Sequence, residues 1–179
     1  MLKKDLRQAA IGALKDQDKT FKEQIDAELL ARLRASESYQ KAETIATYLS
    51  MGFEYNTAPL IEAALADGKQ VVIPKTYPKG RMIFVAYDPD DLQKTSFGLL
   101  EPRSDKAVAK EDIDLIHVPG VVFNEEGYRI GYGAGYYDRY LEDYTGKTIS
   151  LIYTCQQADF TPETHDIAVK EVLIDASRL

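Results

Sequence analysis

The chain has 179 residues, of which 45% are hydrophobic and 28% charged, a composition typical of one globular domain with a sizeable core. Its net charge of −7 disfavours nucleic-acid binding, and no apolar run approaches the roughly 18 residues that a membrane helix needs. One cysteine, Cys155, excludes an internal disulfide and a thiolate metal cluster, and it is expected to be a small buried residue.

The N-terminal segment MLKKDLRQ leads into a polar helical pattern, not into the apolar core of a signal peptide. Apolar residues at helical spacing predict helix from residue 2 to about residue 35, and a break near residues 16–20 divides it in two. No repeat or linker interrupts the sequence. We therefore expect a single domain over residues 1–179, located in the cytoplasm and monomeric.

The next segment predicts a βαβ unit. Residues 45–49 and 71–73 are apolar runs that predict buried strands. Between them, Thr57 can cap a helix, Pro59 suits its first turn, and Gly68 suits its end. A helix of this length is the usual crossover between parallel strands.

The second half of the chain continues the alternation of strands and helices. Strands are predicted at residues 82–87, 113–118, 149–153 and 169–174, with a hairpin turning near Glu126 and Gly127 and a helix over residues 136–144. This alternation predicts an α/β fold, a single-domain three-layer sandwich whose mainly parallel sheet is flanked by helices. Ligands of such folds bind beyond the carboxyl ends of the strands.

The segment IGYGAGYYDRYL contains three alternating glycines that run directly into the predicted helix. Free N–H groups of Gly131, Gly133 and Gly135, together with the helix dipole, favour the binding of a phosphate. The pattern is neither the dinucleotide fingerprint nor the P-loop. On spacing alone, a tight hairpin-to-helix turn that needs positive φ is the favoured interpretation.

Residues on either side of these glycines add to the phosphate hypothesis. Asp138 in the first helical turn is either a helix-start acid or a carboxylate that holds magnesium beside a nucleotide. Of Tyr136 and Tyr137, we expect one to stack on a flat ligand ring and the other to face the sheet. Lys3 and Arg7 share a helix face and can clamp phosphate, although spacing alone favours a solvated face.

Five motifs together resemble one family, the 5-formyltetrahydrofolate cyclo-ligases. The motifs are KKDLR at 3–7, SMGFEYNT at 50–57, GLLEP at 98–102, VPGVVFNEEGYRIGYGAGYYDRYL at 118–141 and HDIAVKEVL at 165–173. The resemblance covers nearly the whole chain, and the glycine loop followed by YYD and a basic residue is its most specific part. It implies an α/β sandwich that uses ATP and magnesium to close 5-formyltetrahydrofolate, with or without a polyglutamate tail, to 5,10-methenyltetrahydrofolate.

The resemblance also implies which residues form the site. The ATP contacts would be Lys3, Arg7, Arg129, Ile130, Gly131, Tyr132, Gly133, Ala134, Gly135, Tyr136 and Tyr137. The folate contacts would be Leu49, Glu54, Tyr132, Gly133, Ala134, Gly135 and Tyr136, and the magnesium carboxylates would be Asp138 and Asp166. Family members often carry basic residues between the loop glycines, where this chain has Tyr132 and Ala134. Contact with phosphate at these two positions is therefore expected through the backbone.

The remaining candidates have alternative interpretations. Glu54 follows a predicted strand end, where an acid can accept hydrogen bonds from an aminopyrimidine ring or simply lie on the surface. His117 lies within an apolar strand and is expected to be a core histidine, and His165 can support Asp166. Glu101 either borders the folate pocket or belongs to a turn before the next segment. The rival functions are a non-catalytic nucleotide- or folate-binding protein on the same fold, and a sugar-phosphate isomerase or acyl-transferase.

Overall fold

The fold is that of a computed structural model that describes residues 2–96 and 98–175. The predicted single domain also includes Met1, Phe97 and residues 176–179, which lie outside the described residues. Along the chain the helices are α1 (Lys3–Lys15), α2 (Lys19–Ala35), α3 (Glu37–Lys41), α4 (Ala58–Ala66) and α5 (Tyr136–Leu141). The strands are β1 (Thr44–Ala46), β2 (Gln70–Tyr77), β3 (Arg81–Ala86), β4 (Leu92–Lys94), β5 (Leu100–Pro102), β6 (Leu115–His117), β7 (Val122–Phe123), β8 (Arg129–Ile130), β9 (Lys147–Ile152) and β10 (Glu171–Ile174).

Six strands form the central sheet, in the order β10-β9-β6-β1-β2-β3. All neighbours are parallel except β2 and β3, which form an antiparallel hairpin at one edge. The β1–α4–β2 crossover is the predicted βαβ unit, with Ile45 paired to Val71. The α/β class with a mainly parallel sheet is therefore confirmed.

Successive strand residues point to opposite faces of the sheet, and both faces are buried under helices. Ile45, Val71 and Leu115 pack against helices α1 to α4, whereas their neighbours Ala46 and Ile116 pack on the side of α5. A third cluster joins α1 to the β7–β8 hairpin through Ala10, Val122 and Ile130. Helix α1 is thereby fixed against the segment that leads into the glycine loop.

Several local predictions are confirmed. Helices α1 and α2 are separate, and Asp18 is the N-cap of α2, because its carboxylate accepts a hydrogen bond from the Phe21 N–H at 2.9 Å. Gly68 ends the α4 segment with φ +80°. The β7–β8 hairpin turns at Gly127, whose φ is +88°.

Other local predictions are wrong in detail. The Thr57 hydroxyl does not cap α4 but donates to Ser50 Oγ at 3.2 Å, since it is turned into the loop of residues 50–57. Helix α5 ends at Leu141 and not at residue 144, and β1 ends at Ala46, three residues early. Cys155 is half-buried. Sequence reasoning also missed α3 and the β4–β5 hairpin.

Within the described residues, no helix is both long and apolar enough to cross a membrane.

The anionic side chain of Asp26 on α2 is buried, and it is paired rather than isolated. Its carboxylate accepts hydrogen bonds from the Tyr153 hydroxyl, from Lys22 Nζ at 2.7 Å and from the Asn56 N–H at 3.2 Å. This network ties α2 and the end of β9 to the loop that carries Glu54.

Removal of the Asp26 carboxylate is expected to destabilise the fold. Asp26→Ala leaves the Lys22 ammonium and the Tyr153 hydroxyl without their partner, which costs about 3 kcal/mol of unfolding free energy. Urea unfolding followed by circular dichroism measures this loss. Glu23→Ala, at an exposed position of the same helix, is the control and should change the free energy by less than about 0.5 kcal/mol. Equal stability of the two variants would contradict a structural role for the network.

Candidate active site

A cavity of about 570 Å³ lies at the carboxyl ends of β1 and β6. Chain direction diverges between these neighbours, because β1 continues to β2 on one side while β6 continues to β9 on the other. Tyr48 and Leu49 follow β1, and Pro119 and Gly120 follow β6, and all four line the cavity. The cavity thus lies beyond the strand ends, at the topological switch point where α/β folds bind ligands, and binding of a ligand there stays a prediction.

Every site residue implied by the family resemblance lines this one cavity. Lys3 and Arg7 are more than 120 positions away from Gly131 in the sequence, and Asp166 lies beyond the strand that follows α5. The structure brings them together because α1 packs on the β7–β8 hairpin. The solvated-face interpretation of Lys3 and Arg7 is therefore not what the fold shows.

The three glycines of the loop serve two different purposes. Gly133 and Gly135 have φ of +106° and +73°, in the left-handed region that side chains rarely adopt. Gly131 has no such backbone strain, but a Cβ there would lie 2.8 Å from Arg129 Nη1. Two glycines therefore shape the turn, and the third leaves room for a guanidinium.

The predicted contribution of the α5 dipole is smaller than expected. Helix α5 has only six residues, so few peptide dipoles add at its start. Gly133, Ala134 and Gly135 are nevertheless exposed at the cavity, with their peptide groups close to it. Attraction of an anion by the loop has to come from these peptide groups and from neighbouring basic side chains.

Arg7 and Lys3 approach the loop from α1. Arg7 Nε donates a 2.7 Å hydrogen bond to the carbonyl oxygen of Gly131. Lys3 Nζ lies 3.6 Å from Glu163 and 3.9 Å from Asp166. One turn of helix thus places a guanidinium at the first glycine and an ammonium beside the candidate metal carboxylate.

Arg129 is the deepest basic group of the cavity. Its residue is only 8% exposed, and Nε has no hydrogen-bond partner among the described residues. Nη2 lies 3.9 Å from Asp138 Oδ1, and the guanidinium lies over the Tyr137 ring at 5.4 Å. Burial lowers the pKa of Arg129, and the Asp138 carboxylate opposes that effect. A buried N–H donor without a partner is costly, so this group is suited to receive an anion.

Asp138 and Asp166 are held in fixed orientations at the same end of the cavity. Asp138 Oδ1 accepts a hydrogen bond from the Ile167 N–H at 3.1 Å, and Asp166 Oδ2 accepts one from the Glu163 N–H at 2.9 Å. Their side chains are 16% and 11% exposed. His165 Nε2 lies 3.7 Å from Asp166, in the supporting position predicted for it.

Two carboxylates suit a magnesium ion that also binds substrate phosphates, and not an ion that is held by protein groups alone. Among the described residues, no group of three or more His, Cys, Asp or Glu side chains could hold an ion. Magnesium usually keeps several waters and takes one or two carboxylates together with substrate phosphates. Asp138 and Asp166 would supply the two carboxylates, and the basic side chains of Lys3, Arg7 and Arg129 line the same cavity.

Glu54 marks the other end of the cavity. Its Oε1 accepts a hydrogen bond from the Met51 N–H at 2.6 Å, and its Oε2 accepts one from the Tyr132 hydroxyl at 3.2 Å. Burial raises the pKa of Glu54, and the two hydrogen bonds oppose it. Glu54 is therefore a largely desolvated acceptor and not a surface acid.

Apolar side chains also line the cavity and suit a flat, amphipathic ring. They are Leu49, Met51, Ile73, Pro74, Met82, Leu99 and Leu100. Leu99 and Leu100 are 45% and 47% exposed, which is unusual for leucines and places uncovered apolar surface at the cavity. They belong to the β4–β5 hairpin, which the sequence analysis did not predict.

The β4–β5 hairpin is held near the cavity by Lys75 of β2. The buried Lys75 Nζ donates to the Arg103 carbonyl and to Asp105 Oδ1, both at 2.7 Å. Glu101 of β5 lines the cavity, as one of its two interpretations expected. The exposed leucines of GLLEP were the signal that could have identified this wall.

Aromatic side chains also line the cavity. Tyr137 packs edge-on against Phe84 of β3, so it is the tyrosine that faces the sheet, and Tyr136 also lines the cavity. Tyr48, which the sequence analysis missed, stacks on the imidazole of His117 with ring centroids 5.0 Å apart. His117 is the predicted core histidine. Its Nδ1 lies 2.9 Å from Thr47 Oγ1, and burial lowers its pKa to about 3, which keeps it neutral.

Comparison with known proteins identifies the family. A 5-formyltetrahydrofolate cyclo-ligase family model matches residues 1–175. The 5-formyltetrahydrofolate cyclo-ligase of Haemophilus influenzae is 31% identical over 75% of this chain and 77% of its own, and that of Mus musculus is 30% identical over 83% and 81%.

Solved structures agree with these matches. The 5,10-methenyltetrahydrofolate synthetase of Aquifex aeolicus superimposes with a TM-score of 0.85 at 28% identity, covering 99% of this chain and 91% of its own. That of Mycoplasma pneumoniae has a TM-score of 0.80 at 25% identity, covering 97% and 98%. All four relatives bear the names of enzymes, which favours an enzyme over a non-catalytic binding protein. The chain therefore belongs to the 5-formyltetrahydrofolate cyclo-ligase family.

Proposed function

We propose that this chain catalyses the ATP- and magnesium-dependent cyclisation of 5-formyltetrahydrofolate to 5,10-methenyltetrahydrofolate, with release of ADP and phosphate. The observation that supports this most is that all the implied ligand contacts line one cavity, whose lining combines charged and apolar side chains. One end carries basic groups and two carboxylates, and the other carries Glu54 among apolar side chains. The glycine loop joins them.

In this proposal the basic end receives the nucleotide. Arg129 offers a buried N–H that has no partner within the described part of the chain, and Arg7 and Lys3 lie on helix α1, which lines the same cavity. Residues 129–137 contribute backbone contacts to the phosphates. Arginine and lysine hold phosphate oxygens through charge-assisted hydrogen bonds, which are stronger than neutral ones.

Asp138 and Asp166 are the residues that would hold magnesium, which neutralises charge on the phosphate oxygens when it is bound. Both carboxylates are already oriented by backbone N–H groups. Lys3 and Arg129 lie beside them and limit the repulsion between the carboxylates and the phosphates.

The folate occupies the other end. Glu54 accepts hydrogen bonds from the aminopyrimidine part of the pterin, and Leu49 and residues 132–136 contact the ring. A carboxylate fixed by Met51 loses little freedom when it binds, which favours recognition of a flat polar edge.

The chemistry follows from this placement. The formyl oxygen is a poor leaving group, so it first attacks the γ-phosphorus of ATP, and ADP departs. The neighbouring anilino nitrogen then attacks the activated carbon and loses its proton, and phosphate leaves with the former formyl oxygen. These steps need positioning and charge neutralisation and no enzyme nucleophile.

The proposed reaction is tested with purified protein, 5-formyltetrahydrofolate, ATP and magnesium chloride. The absorbance of the methenyl product should rise only when all four components are present, and ADP should form in equal amount. Omission of one component at a time provides the controls. Product formed without ATP, or ATP hydrolysed without product, would contradict the proposal.

Replacement of Glu54 by glutamine is expected to weaken folate binding roughly tenfold or more at neutral pH, because a hydrogen bond to a charged acceptor is lost. Burial raises the pKa of Glu54, so its carboxylate becomes protonated at a higher pH than an ordinary glutamate. The wild-type advantage over Glu54→Gln should therefore shrink as pH falls through that raised pKa and be constant above it.

Calorimetric titration with 5-formyltetrahydrofolate at several pH values measures this difference. Glu62→Gln, at an exposed position of α4, is the control and should bind like the wild type. The raised pKa means that the ionised carboxylate costs stability at neutral pH, so Glu54→Gln should fold no less stably. Equal folate affinity in wild type and Glu54→Gln at every pH would remove Glu54 from the site.

Replacement of Asp138 by asparagine should separate catalysis from folding. Asparagine keeps the oxygen that accepts the Ile167 N–H but removes the charge that would hold magnesium. We expect normal folding and folate binding, turnover lower by roughly 100-fold, and partial recovery at high magnesium. Steady-state rates over a magnesium series measure this, with Glu142→Gln as the exposed control. A wild-type rate at limiting magnesium would make Asp138 a helix-start acid only.

A further inference from the structure

The glycine loop, residues 131–135, is held by two side chains at its first two residues. Arg7 Nε donates to the Gly131 carbonyl at 2.7 Å, and the Tyr132 hydroxyl donates to Glu54 Oε2 at 3.2 Å. The rest of the loop is loosely packed. A Cβ at Gly135 would meet nothing within 4 Å, and one at Gly133 would meet only Arg7 Nη2, at 4.0 Å.

Both tethers are made by groups with a stronger partner available under the proposed function. A guanidinium bonds a phosphate oxygen more strongly than a neutral carbonyl, so a nucleotide competes with Gly131 for Arg7. Glu54 is the proposed acceptor for the folate ring, so folate competes with Tyr132 for Oε2. The Tyr132 side chain is 47% exposed and can leave Glu54 without opening a void in the core.

We propose that Tyr132 is a positioning residue that tethers the glycine loop to Glu54, so that binding of folate releases the loop for the nucleotide. This rests on the proposed function. A ligand that has removed one tether leaves the second ligand less to displace, so the two bind with positive coupling. Because coupling is reciprocal, nucleotide improves folate affinity by the same factor.

This role differs from direct contact between Tyr132 and a ligand. If Tyr132 only contacted folate, loss of its hydroxyl would weaken folate binding and leave the coupling intact. If Tyr132 competes with folate for Glu54, loss of the hydroxyl leaves folate affinity equal or higher. Nucleotide affinity without folate then rises toward its folate-saturated value.

The test measures binding of adenylyl imidodiphosphate with magnesium, by calorimetry, with and without saturating 5-formyltetrahydrofolate. For the wild type we expect at least about fivefold tighter nucleotide binding in the presence of folate, the lower end of usual coupling. In Tyr132→Phe this ratio should fall to less than about twofold. Tyr128→Phe, a tyrosine of the β7–β8 turn that does not line the cavity, is the control and should keep the wild-type ratio.

Tyr132→Leu, which also lacks the hydroxyl, is a second variant, and circular dichroism identifies the variants that fold. Two results would overturn this inference and leave the proposed function standing. One is a wild type whose nucleotide affinity is the same with and without folate, and the other is a folded Tyr132 variant that keeps the wild-type affinity ratio. Failure of the wild type to bind either ligand would remove the proposed function and this inference with it. Loss of the ratio in both variants, with the control unchanged, supports the tether.

Discussion

The site depends on the point where chain direction diverges in the parallel sheet. Strand β1 is followed through α4 by β2 on one side, whereas β6 lies on its other side and leads to β9. The loops that leave β1 and β6 therefore turn away from each other and open a crevice above the strand ends. Glu54 lies on one of these loops. The other leads through the β7–β8 hairpin to the glycine loop, so a single topological feature places both ends of the cavity.

The sheet itself was predictable because both of its faces are buried. Runs such as those around Ile45, Val71 and Leu115 are apolar whichever face they point to, and α4 with Pro59 and Gly68 has clear start and end signals. The β4–β5 hairpin was not predictable in the same way. Its three-residue strands carry no periodic pattern, and it is fixed by the long-range bonds of Lys75 to Arg103 and Asp105.

The candidate site shows the same division. Glycine spacing identified the loop, and the family resemblance connected it to Lys3, Arg7 and Asp166. Spacing alone favoured a solvated face for Lys3 and Arg7, because it carries no information on the packing of α1 against Val122 and Ile130. The hydrogen bond between Tyr132 and Glu54, and the stacking of Tyr48 on His117, join residues that are far apart in the sequence. No local pattern encodes such pairs.

Under the proposed function, the charges beside the glycine loop explain how an acidic chain would hold a nucleotide. Lys3 lies beside Glu163 and Asp166, and Arg129 lies beside Asp138, so most positive charge here already has a negative neighbour. A free phosphate would be attracted by the bases and repelled by the carboxylates. A phosphate that carries magnesium presents both charges, so the metal would face the carboxylates and the phosphate would face the basic side chains. Under the proposed function, this arrangement of paired charges suits the magnesium complex of a nucleotide better than a free anion.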